Sequence, residues 1–175
     1  CLGTPTHFWA DSTLINLNAT ATYHWDFGDG STSNTRNTQY TYIAAGTYTV
    51  ILTITDTAGC EGSRSHTLTV TPPPTALFSS ATDNCQGQTI SFNNQSTTES
   101  GYLTSWSWDF GDGSPVQTIL FPTIPDVSHI YAVTGTFNVT LTVTNSEDCT
   151  HSYSRLVNVF GSPTADFMSS GHCKD

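Results

Sequence analysis

Residues 23–31 read Tyr-His-Trp-Asp-Phe-Gly-Asp-Gly-Ser, and residues 106–114 read Trp-Ser-Trp-Asp-Phe-Gly-Asp-Gly-Ser. The likeness continues downstream without a gap, since residues 42–60 align with residues 131–149. Self-similarity at a fixed spacing is typical of a tandem array. The 175-residue chain therefore contains a repeat of about 84–89 residues, which are the spacings of its matching cysteines.

The chain is out of phase with its own repeat. The run Pro-Thr-Ala-Leu-Phe at residues 74–78 returns as Pro-Thr-Ala-Asp-Phe at residues 163–167, and no third copy precedes Cys1. We interpret the chain as an excerpt from a longer array. The expected domains are a repeat lacking its first strand (1–72), a complete repeat (73–161) and the first strand of a following repeat (162–175).

Each repeat alternates apolar and polar residues with the period of a half-buried strand. Residues 47–55, for example, place Tyr48, Val50, Leu52 and Ile54 on one face and threonines on the other. Short runs of this kind are separated by turn signals rich in Gly, Pro and Asp, and no stretch has helical periodicity. The pattern predicts an all-β fold of tandem immunoglobulin-like β-sandwiches arranged head to tail, with about seven strands per repeat.

Composition excludes several classes of partner. The net charge of −10 repels phosphate backbones and anionic lipid surfaces, so we expect neither nucleic acid binding nor membrane insertion. No apolar run approaches the roughly 18–20 residues that span a bilayer. Five spaced cysteines and few lysines favour an oxidising, extracellular location.

The repeated motif resembles a known family. Trp-Asp-Phe-Gly-Asp-Gly, followed by Tyr-x-x-x-Gly-x-Tyr/Phe-x-Val, is similar to the polycystic kidney disease (PKD) domain, an immunoglobulin-like sandwich. The cysteine placement resembles the PKD repeats of Bacteroidetes cell-surface and gliding adhesins. This resemblance implies a spacer or binding module attached to an adhesin or a secreted hydrolase.

The aspartates of the repeated turn have two interpretations. As residues of a tight Gly-Asp-Gly turn, they would accept backbone N–H bonds. Alternatively, they would be Ca²⁺ ligands, in which case oxygens from the turn after the long strand must complete the shell. The calcium candidates are Asp26, Asp29, Asp109, Asp112, Glu147 and Asp148. We expect no other cofactor.

The tryptophans and two tyrosines are assigned by position. Trp25 and Trp108 lie in the strand that carries the core aromatic of an immunoglobulin-like sandwich. Tyr42 and Tyr131 suit a tyrosine corner, in which the hydroxyl bonds nearby backbone. Trp9 and Trp106 have no aligned tryptophan, so they are better candidates for surface contacts than Trp25 and Trp108, although core packing remains the default interpretation.

One segment belongs to the second repeat alone. Eleven residues separate Gly30 from Tyr42, whereas seventeen separate Gly113 from Tyr131. The longer segment would either fold back over an edge strand or present an apolar patch to a partner. Its candidate contact residues are Ile119, Leu120, Phe121 and Ile124.

Two sites have the Asp-Ser/Thr-Thr/Ala pattern of O-glycosylation in Bacteroidetes, a group to which the family resemblance points. They would carry the glycan on Ser12 and Thr57.

Sandwich topology favours a disulfide between repeats. Cys1 and Cys85 follow the first strand and so lie where the chain leaves its domain, whereas Cys60 and Cys149 follow the long sixth strand, at the opposite end. A strand of about seven residues separates these ends by roughly 23 Å, but a disulfide needs Cα atoms within about 7 Å. We therefore prefer Cys1–Cys149, with Cys60, Cys85 and Cys173 pairing outside this chain. The alternative is Cys1–Cys60 with Cys85–Cys149.

Function follows from these features as three hypotheses. No nucleophile elbow, zinc-ligand spacing or other catalytic pattern is present, so we expect no enzyme. The first hypothesis is a spacer or stalk of a bacterial surface adhesin, whose partners are neighbouring repeats and a surface glycan or protein. The second is a carbohydrate- or protein-binding accessory module of a secreted hydrolase. The third is a filament subunit that assembles by strand exchange.

Overall fold

A computed structural model describes residues 1–10, 21–81 and 84–168. Those residues form fourteen β-strands and no helix, which confirms the predicted all-β fold. In the same ranges, no helix is long and apolar enough to cross a membrane.

The chain divides into two compact units. Unit 1 contains Cys1–Pro74 together with the short segments Thr98–Tyr102 and Asn145–Thr150. Unit 2 contains Thr75–Thr97, Leu103–Thr144 and the chain from His151 onwards. The units thus separate two residues after the expected repeat boundary, and two loops of the second repeat belong to the first unit.

Six strands build unit 1. β1 pairs with β4 in a two-stranded sheet, and the other four form a sheet in the order β3-β2-β5-β6. The long hairpin β5–β6 is in register from Gly46 opposite Val70 to Thr55 opposite Glu61. The strands are β1 (Thr6–Trp9), β2 (Thr22–Asp26), β3 (Thr32–Ser33), β4 (Asn37–Tyr40), β5 (Gly46–Thr55) and β6 (Glu61–Val70).

Eight strands come from the second repeat. One sheet has the order β12-β9-β7 and the other the order β11-β10-β13-β14-β8, in which β8 runs parallel to β14. The strands are β7 (Phe78–Ser80), β8 (Asn84–Cys85), β9 (Thr89–Asn94), β10 (Leu103–Asp109), β11 (Gln117–Leu120), β12 (Val127–Ile130), β13 (Gly135–Asn145) and β14 (Thr150–Phe160).

Unit 2 has a closed aromatic and aliphatic core. The ring of Phe78 on β7 contacts those of Phe92, Trp108 and Tyr153 at centroid distances of 6.1, 5.1 and 5.4 Å. Leu141 and Val143 on β13 are fully buried beside them. The inward residues of both sheets therefore interlock, as in other β-sandwiches.

The core of unit 1 is smaller and partly open. Trp25, Phe27, Tyr42 and Val50 are buried, but Leu52 is only half-buried, although its counterpart Leu141 is fully buried. The difference follows from strand content, because β7 and β8 have no counterparts among the described residues of unit 1. Among the described residues of unit 1, no strand takes the place of β7 over this end of the core.

Residues 161–168 differ from the expected strand. They carry no strand assignment and are exposed throughout. A strand requires a hydrogen-bonded neighbour, and no described strand pairs with this segment. Cys173 lies outside the described residues.

Candidate functional site

The Phe-Gly-Asp-Gly turns are fixed by backbone geometry. Gly28 and Gly111 have φ of +80° and +73°, and a Cβ at either would approach a backbone oxygen of the long strand to 2.7 or 2.6 Å. Asp26 and Asp109 each accept the N–H of the following glycine at 2.9 Å through Oδ1. Both the conformation and the close approach therefore require glycine at these positions.

The second aspartate of each turn anchors an aromatic ring. The Tyr40 hydroxyl donates to Asp29 Oδ2 at 2.7 Å, and His129 Nε2 lies 2.7 Å from Asp112 Oδ2. These rings stack on the turn phenylalanines with centroid distances of 4.2 and 4.1 Å. Tyrosine and histidine thus occupy the same place in the two repeats and meet the same carboxylate.

Hydrogen bonding controls the ionisation of these carboxyls. Burial alone would raise the pKa of Asp112, but hydrogen bonds from Ser114 and His129 outweigh it and hold the pKa at about 2. The pKa of Asp29 is likewise lowered, because bonds from Tyr40 and Ser31 outweigh its slight burial. The aspartates are therefore ionised turn acceptors, an environment that does not suit a general acid.

The calcium candidates are not gathered into a site. In the part of the chain that the structure describes, no group of three or more His, Cys, Asp or Glu side chains could hold a metal ion. The turn containing Glu147 and Asp148 is organised instead by Asn145, whose Oδ1 accepts the N–H groups of Glu147 and Cys149 at 3.1 and 2.9 Å. The structural-turn interpretation accounts for these contacts.

The core aromatics and the tyrosine corner lie where the sandwich topology expects them. Trp25 and Trp108 are buried. The hydroxyls of Tyr42 and Tyr131 donate to the backbone oxygens of Phe27 and Phe110, each at 3.0 Å. Burial, with a smaller contribution from nearby Asp29, raises the pKa of Tyr42 to about 12, so the hydroxyl remains a donor at any physiological pH.

The two remaining tryptophans differ in their exposure to solvent. Trp106 is buried, so the surface-contact interpretation is wrong for this residue. The reason is strand parity, since Trp106 and Trp108 are two residues apart on β10 and point to the same face. Trp9 follows the half-buried Phe8 on β1 and is 69% exposed, which leaves it available for contacts.

The extra segment of the second repeat forms strand β11 at a sheet edge. β11 pairs with β10, with Ile119 opposite Trp106, and Ile119 packs against the core of unit 2. Ile119 is therefore a core residue. Leu120, Phe121 and Ile124 are 62, 60 and 73% exposed, and their contact with a partner stays a prediction.

One disulfide joins Cys1 to Cys149, with Cα atoms 5.5 Å apart. Both residues lie in unit 1, and the Thr71 hydroxyl is 3.4 Å from Cys149 Sγ. Cys60 and Cys85 are exposed thiols. The pairing is the one that strand topology favours, and neither bond of the alternative set is formed.

One of the two proposed glycosylation sites lies within the described residues. Thr57 is exposed in the turn between β5 and β6, where Asp56 Oδ1 accepts the N–H groups of Ala58 and Cys60 at 2.9 Å. The hydroxyl of Thr57 is thus accessible. Ser12 lies outside the described residues.

An apolar groove is the feature that motif analysis misses. It has a volume of about 630 Å³ and opens where β7 has no counterpart among the described residues of unit 1. Its walls come from β1, β2, β5 and β6. We call it the open groove, and it is lined by Phe8, Trp9, Trp25, Val50, Leu52, Ile54 and residues 62–66.

Comparison with known proteins gives a consistent family. The family described as "PKD domain" matches residues 1–72 and again residues 70–159. The pre-pro-metalloprotease PrtV of Vibrio cholerae is 31% identical over 108 residues, or 61% of this chain and 12% of that protein. Collagenase ColA of Bacillus cereus is 39% identical over 67 residues, or 38% and 7%. The chain thus spans a small fraction of these relatives.

A solved structure shows the same kind of similarity. The PKD1 domain of Vibrio anguillarum Epp is 31% identical to this chain, with a TM-score of 0.44, covering 51% of this chain and 96% of that domain. The relatives named here come from Vibrio and Bacillus. The family match establishes the domain type, and the Bacteroidetes adhesin type stays a hypothesis.

Proposed function

Because the chain belongs to the PKD domain family, we propose that it is a non-catalytic extracellular spacer, which separates other parts of a larger secreted or surface protein. PKD domains occur as small parts of proteins such as the protease and the collagenase compared above. The aspartates and tyrosines, whose side chains could suggest a catalytic site, instead make the hydrogen bonds of the turns and the tyrosine corners. The proposed role is mechanical.

The Cys1–Cys149 disulfide is the observation that carries this proposal. It joins residues 148 positions apart, the first within the first PKD match and the second within the second match. Tension applied at Cys1 would pass through the bond directly to Cys149 and would bypass everything between them. A covalent bypass of this kind suits a module that must keep its length under load.

The proposed location follows from the same bond. Structural disulfides persist in oxidising compartments and are rare where glutathione keeps thiols reduced. Together with a net charge of −10, this favours a protein exposed to the extracellular medium. A more specific version of this proposal is that the protein is attached to a cell surface, as in an adhesin stalk.

A distance measurement tests the spacer role. The chain is placed between two spin-labelled reporter domains and compared with a flexible Gly/Ser linker of equal length, whose r.m.s. span is about 65–80 Å at 5–6 Å times the square root of residue number. We expect a narrower distance distribution than that of the linker, broadened by reduction of the disulfide. A distribution as broad as the linker's would contradict a spacer.

The accessory-module role is the second candidate, favoured by the names of the relatives. A protease and a collagenase contain matching segments, so a hydrolase domain in the same polypeptide would support it. A binding module should retain polysaccharides or matrix proteins in a pull-down or glycan array, and the Trp9→Ala variant should then lose the signal. No retention by the isolated chain would favour the spacer.

A further inference from the structure

The extra segment gives unit 2 a sheet edge without charge. Residues 113–125 contain no ionisable side chain, in a chain that has fourteen acidic and four basic residues. Strand β11 lies in this segment at the end of its sheet, and among the described strands only β10 pairs with it. Charged side chains are one device that keeps a sheet edge from pairing with another chain. That device is absent from β11.

The first repeat provides an internal comparison. Its strand β3 is also a sheet edge beside β2, but β3 has only two residues. Residues 31–39 read Ser-Thr-Ser-Asn-Thr-Arg-Asn-Thr-Gln, with no aliphatic or aromatic side chain. A short polar strand is typical of a protected edge. The longer apolar edge is therefore a property of the second repeat, and the sandwich does not require it.

The backbone of β11 directs part of its hydrogen-bonding groups away from the sheet. The Phe121 N–H donates to the Thr104 oxygen of β10 at 2.9 Å. Alternate residues of an antiparallel strand direct their N–H and C=O groups to opposite sides. Two positions earlier, Ile119 thus also faces β10, whereas Thr118 and Leu120 direct their backbone groups outward.

A turn sets the length of this outward edge. The Leu120 oxygen accepts the Thr123 N–H at 3.0 Å, so the edge ends at Leu120. Leu120 is 62% exposed, and Val116, which precedes the strand, is 54% exposed. Thr118 lies midway between them, and in a strand all three positions belong to one face. The edge therefore has an apolar side chain on each side of a central threonine.

We propose that β11 pairs with β11 of a second copy of this chain, as antiparallel strands related by a two-fold axis at Thr118. The two Thr118 residues exchange N–H···O bonds, and Leu120 of each copy lies opposite Val116 of the other. The two sheets become one continuous sheet. This lateral contact goes beyond the spacer role and does not depend on it.

The symmetry of the edge identifies a second copy as the occupant. Because Val116 and Leu120 stand two positions on either side of Thr118, a two-fold axis there forms two equal apolar pairs. Cross-strand pairs of this kind stabilise antiparallel sheets. An axis at Ile119 would instead place Leu120 opposite Thr118, whose side chain is polar. A contact with two-fold symmetry closes on itself, so the assembly stops at a dimer.

The residues beside the edge are compatible with this register. Pro115 has no N–H, but it is in step with Ile119 and Phe121, whose N–H groups face β10 and not the second copy. A proline on an edge strand is tolerated at such a position. In the dimer, Pro115 stands opposite Phe121, which is 60% exposed. This places a further apolar contact next to each Leu120–Val116 pair.

The first experiment measures the mass of the whole chain in solution. Sedimentation equilibrium from micromolar to millimolar concentration should show the mean mass rising from 18.9 kDa towards twice that value. The dimer should be weak because a short edge buries little area. Each copy has a net charge of −10, so added salt should strengthen dimerisation by screening the repulsion. A mass that rises beyond that of a dimer would contradict a closed contact.

A side-chain variant tests the apolar pairs. Covering the exposed part of Leu120 is worth a factor of roughly 5–20, twice in each dimer, so Leu120→Asp should weaken dimerisation roughly 25- to 400-fold. The matched control is Leu156→Asp, which adds the same charge at a leucine that is 64% exposed. Leu156 lies on β14, three strands from β11 in the same sheet, so this control should dimerise as wild type does.

A backbone variant tests the pairing itself. Thr118→Pro removes the outward N–H and leaves the bonds from β11 to β10 in place, because those bonds come from the alternate residues. It should therefore fold and remain monomeric. Thr118→Ala keeps the N–H and should still dimerise. This pair of variants separates loss of strand pairing from loss of the threonine side chain.

A cross-link tests the register. Residues that exchange both hydrogen bonds in an antiparallel pair have Cα atoms about 5.5 Å apart, which a disulfide can span. Cys60→Ser and Cys85→Ser first remove the exposed thiols. In that background, Thr118→Cys should form a disulfide-linked dimer under mild oxidation, and Leu156→Cys should not.

Three results would overturn the proposal. A wild-type chain that is monomeric at millimolar concentration would leave this edge to a strand of a different protein. Dimerisation that survives both Leu120→Asp and Thr118→Pro would place the contact elsewhere on the molecule. Equal cross-linking of Thr118→Cys and Leu156→Cys would exclude the two-fold axis at Thr118.

Discussion

Pulling on the two ends of the chain should reveal how much contour length the Cys1–Cys149 bond prevents from extending. The cysteines are 148 positions apart in sequence, but their Cα atoms are separated by only 5.5 Å. While the bond is intact, a force applied at Cys1 reaches residue 149 without passing through any of the strands between them. The perturbation is therefore removal of the bond, by reduction or by Cys149→Ser.

The magnitude follows from chain geometry. An extended chain spans about 3.3–3.6 Å per residue, so 148 positions correspond to about 490–530 Å of contour length. In the oxidised chain, only the residues after Cys149 can extend, and they release less than about 100 Å at the same rise per residue. The reduced chain releases both lengths, so the two forms should differ about six- to sevenfold in the length gained on complete unfolding.

Single-molecule force spectroscopy with handles at both termini measures this length directly. The oxidised chain should give one short extension, and the reduced chain should give additional unfolding events that total the longer value. Cys60→Ser removes an exposed thiol that makes no bond here, so it serves as the control and should behave as wild type. Equal contour lengths in oxidised and reduced samples would refute the bypass and weaken the spacer proposal.

Three other outcomes are expected. Trp108→Ala should cost about 3–5 kcal/mol in urea unfolding, and Trp25→Ala at least about 1 kcal/mol less, because Trp25 borders the open groove and leaves no closed cavity. The pKa of the Asp112 carboxyl is lowered from 3.8 to about 2. The ionised carboxyl therefore stabilises the fold fully above pH 4, and this stabilisation is lost as the pH falls through 2. Unfolding curves of wild type and Asp112→Asn should differ at pH 5 and converge near pH 2. Removal of divalent cations with EDTA should leave the melting temperature unchanged, since the described residues contain no cluster of metal-ligating side chains.

The fold was predictable because the sequence encodes it redundantly. The alternation in residues 47–55 predicts β5, and the same alternation recurs in β13, so one pattern is seen twice. The Phe-Gly-Asp-Gly turn and the tyrosine corner mark the same places in both repeats. Each local preference agrees with the fold, which is the condition under which sequence analysis succeeds.

For Trp106, core packing was the default interpretation, and the surface-contact alternative was wrong. The comparison between repeats drew attention to the absence of an aligned tryptophan. Strand parity was the better guide, because Trp106 lies two positions before the core residue Trp108 and so points inward. The same rule places Trp9, next to the half-buried Phe8, on the outer face. Ile119 became a core residue through pairing with β10, a long-range contact that its own segment does not specify.

The open groove lies where β7 has no counterpart among the described residues of unit 1, and such a feature leaves no motif in the residues that line it. Leu52 and Leu141 have the same identity and the same place in the alternation, yet Leu52 is half-buried and Leu141 fully buried. What distinguishes them is Phe78 and the rest of β7, which covers the core of unit 2 and has no counterpart among the described residues of unit 1. Exposure of an apolar residue is thus set by elements elsewhere in the chain.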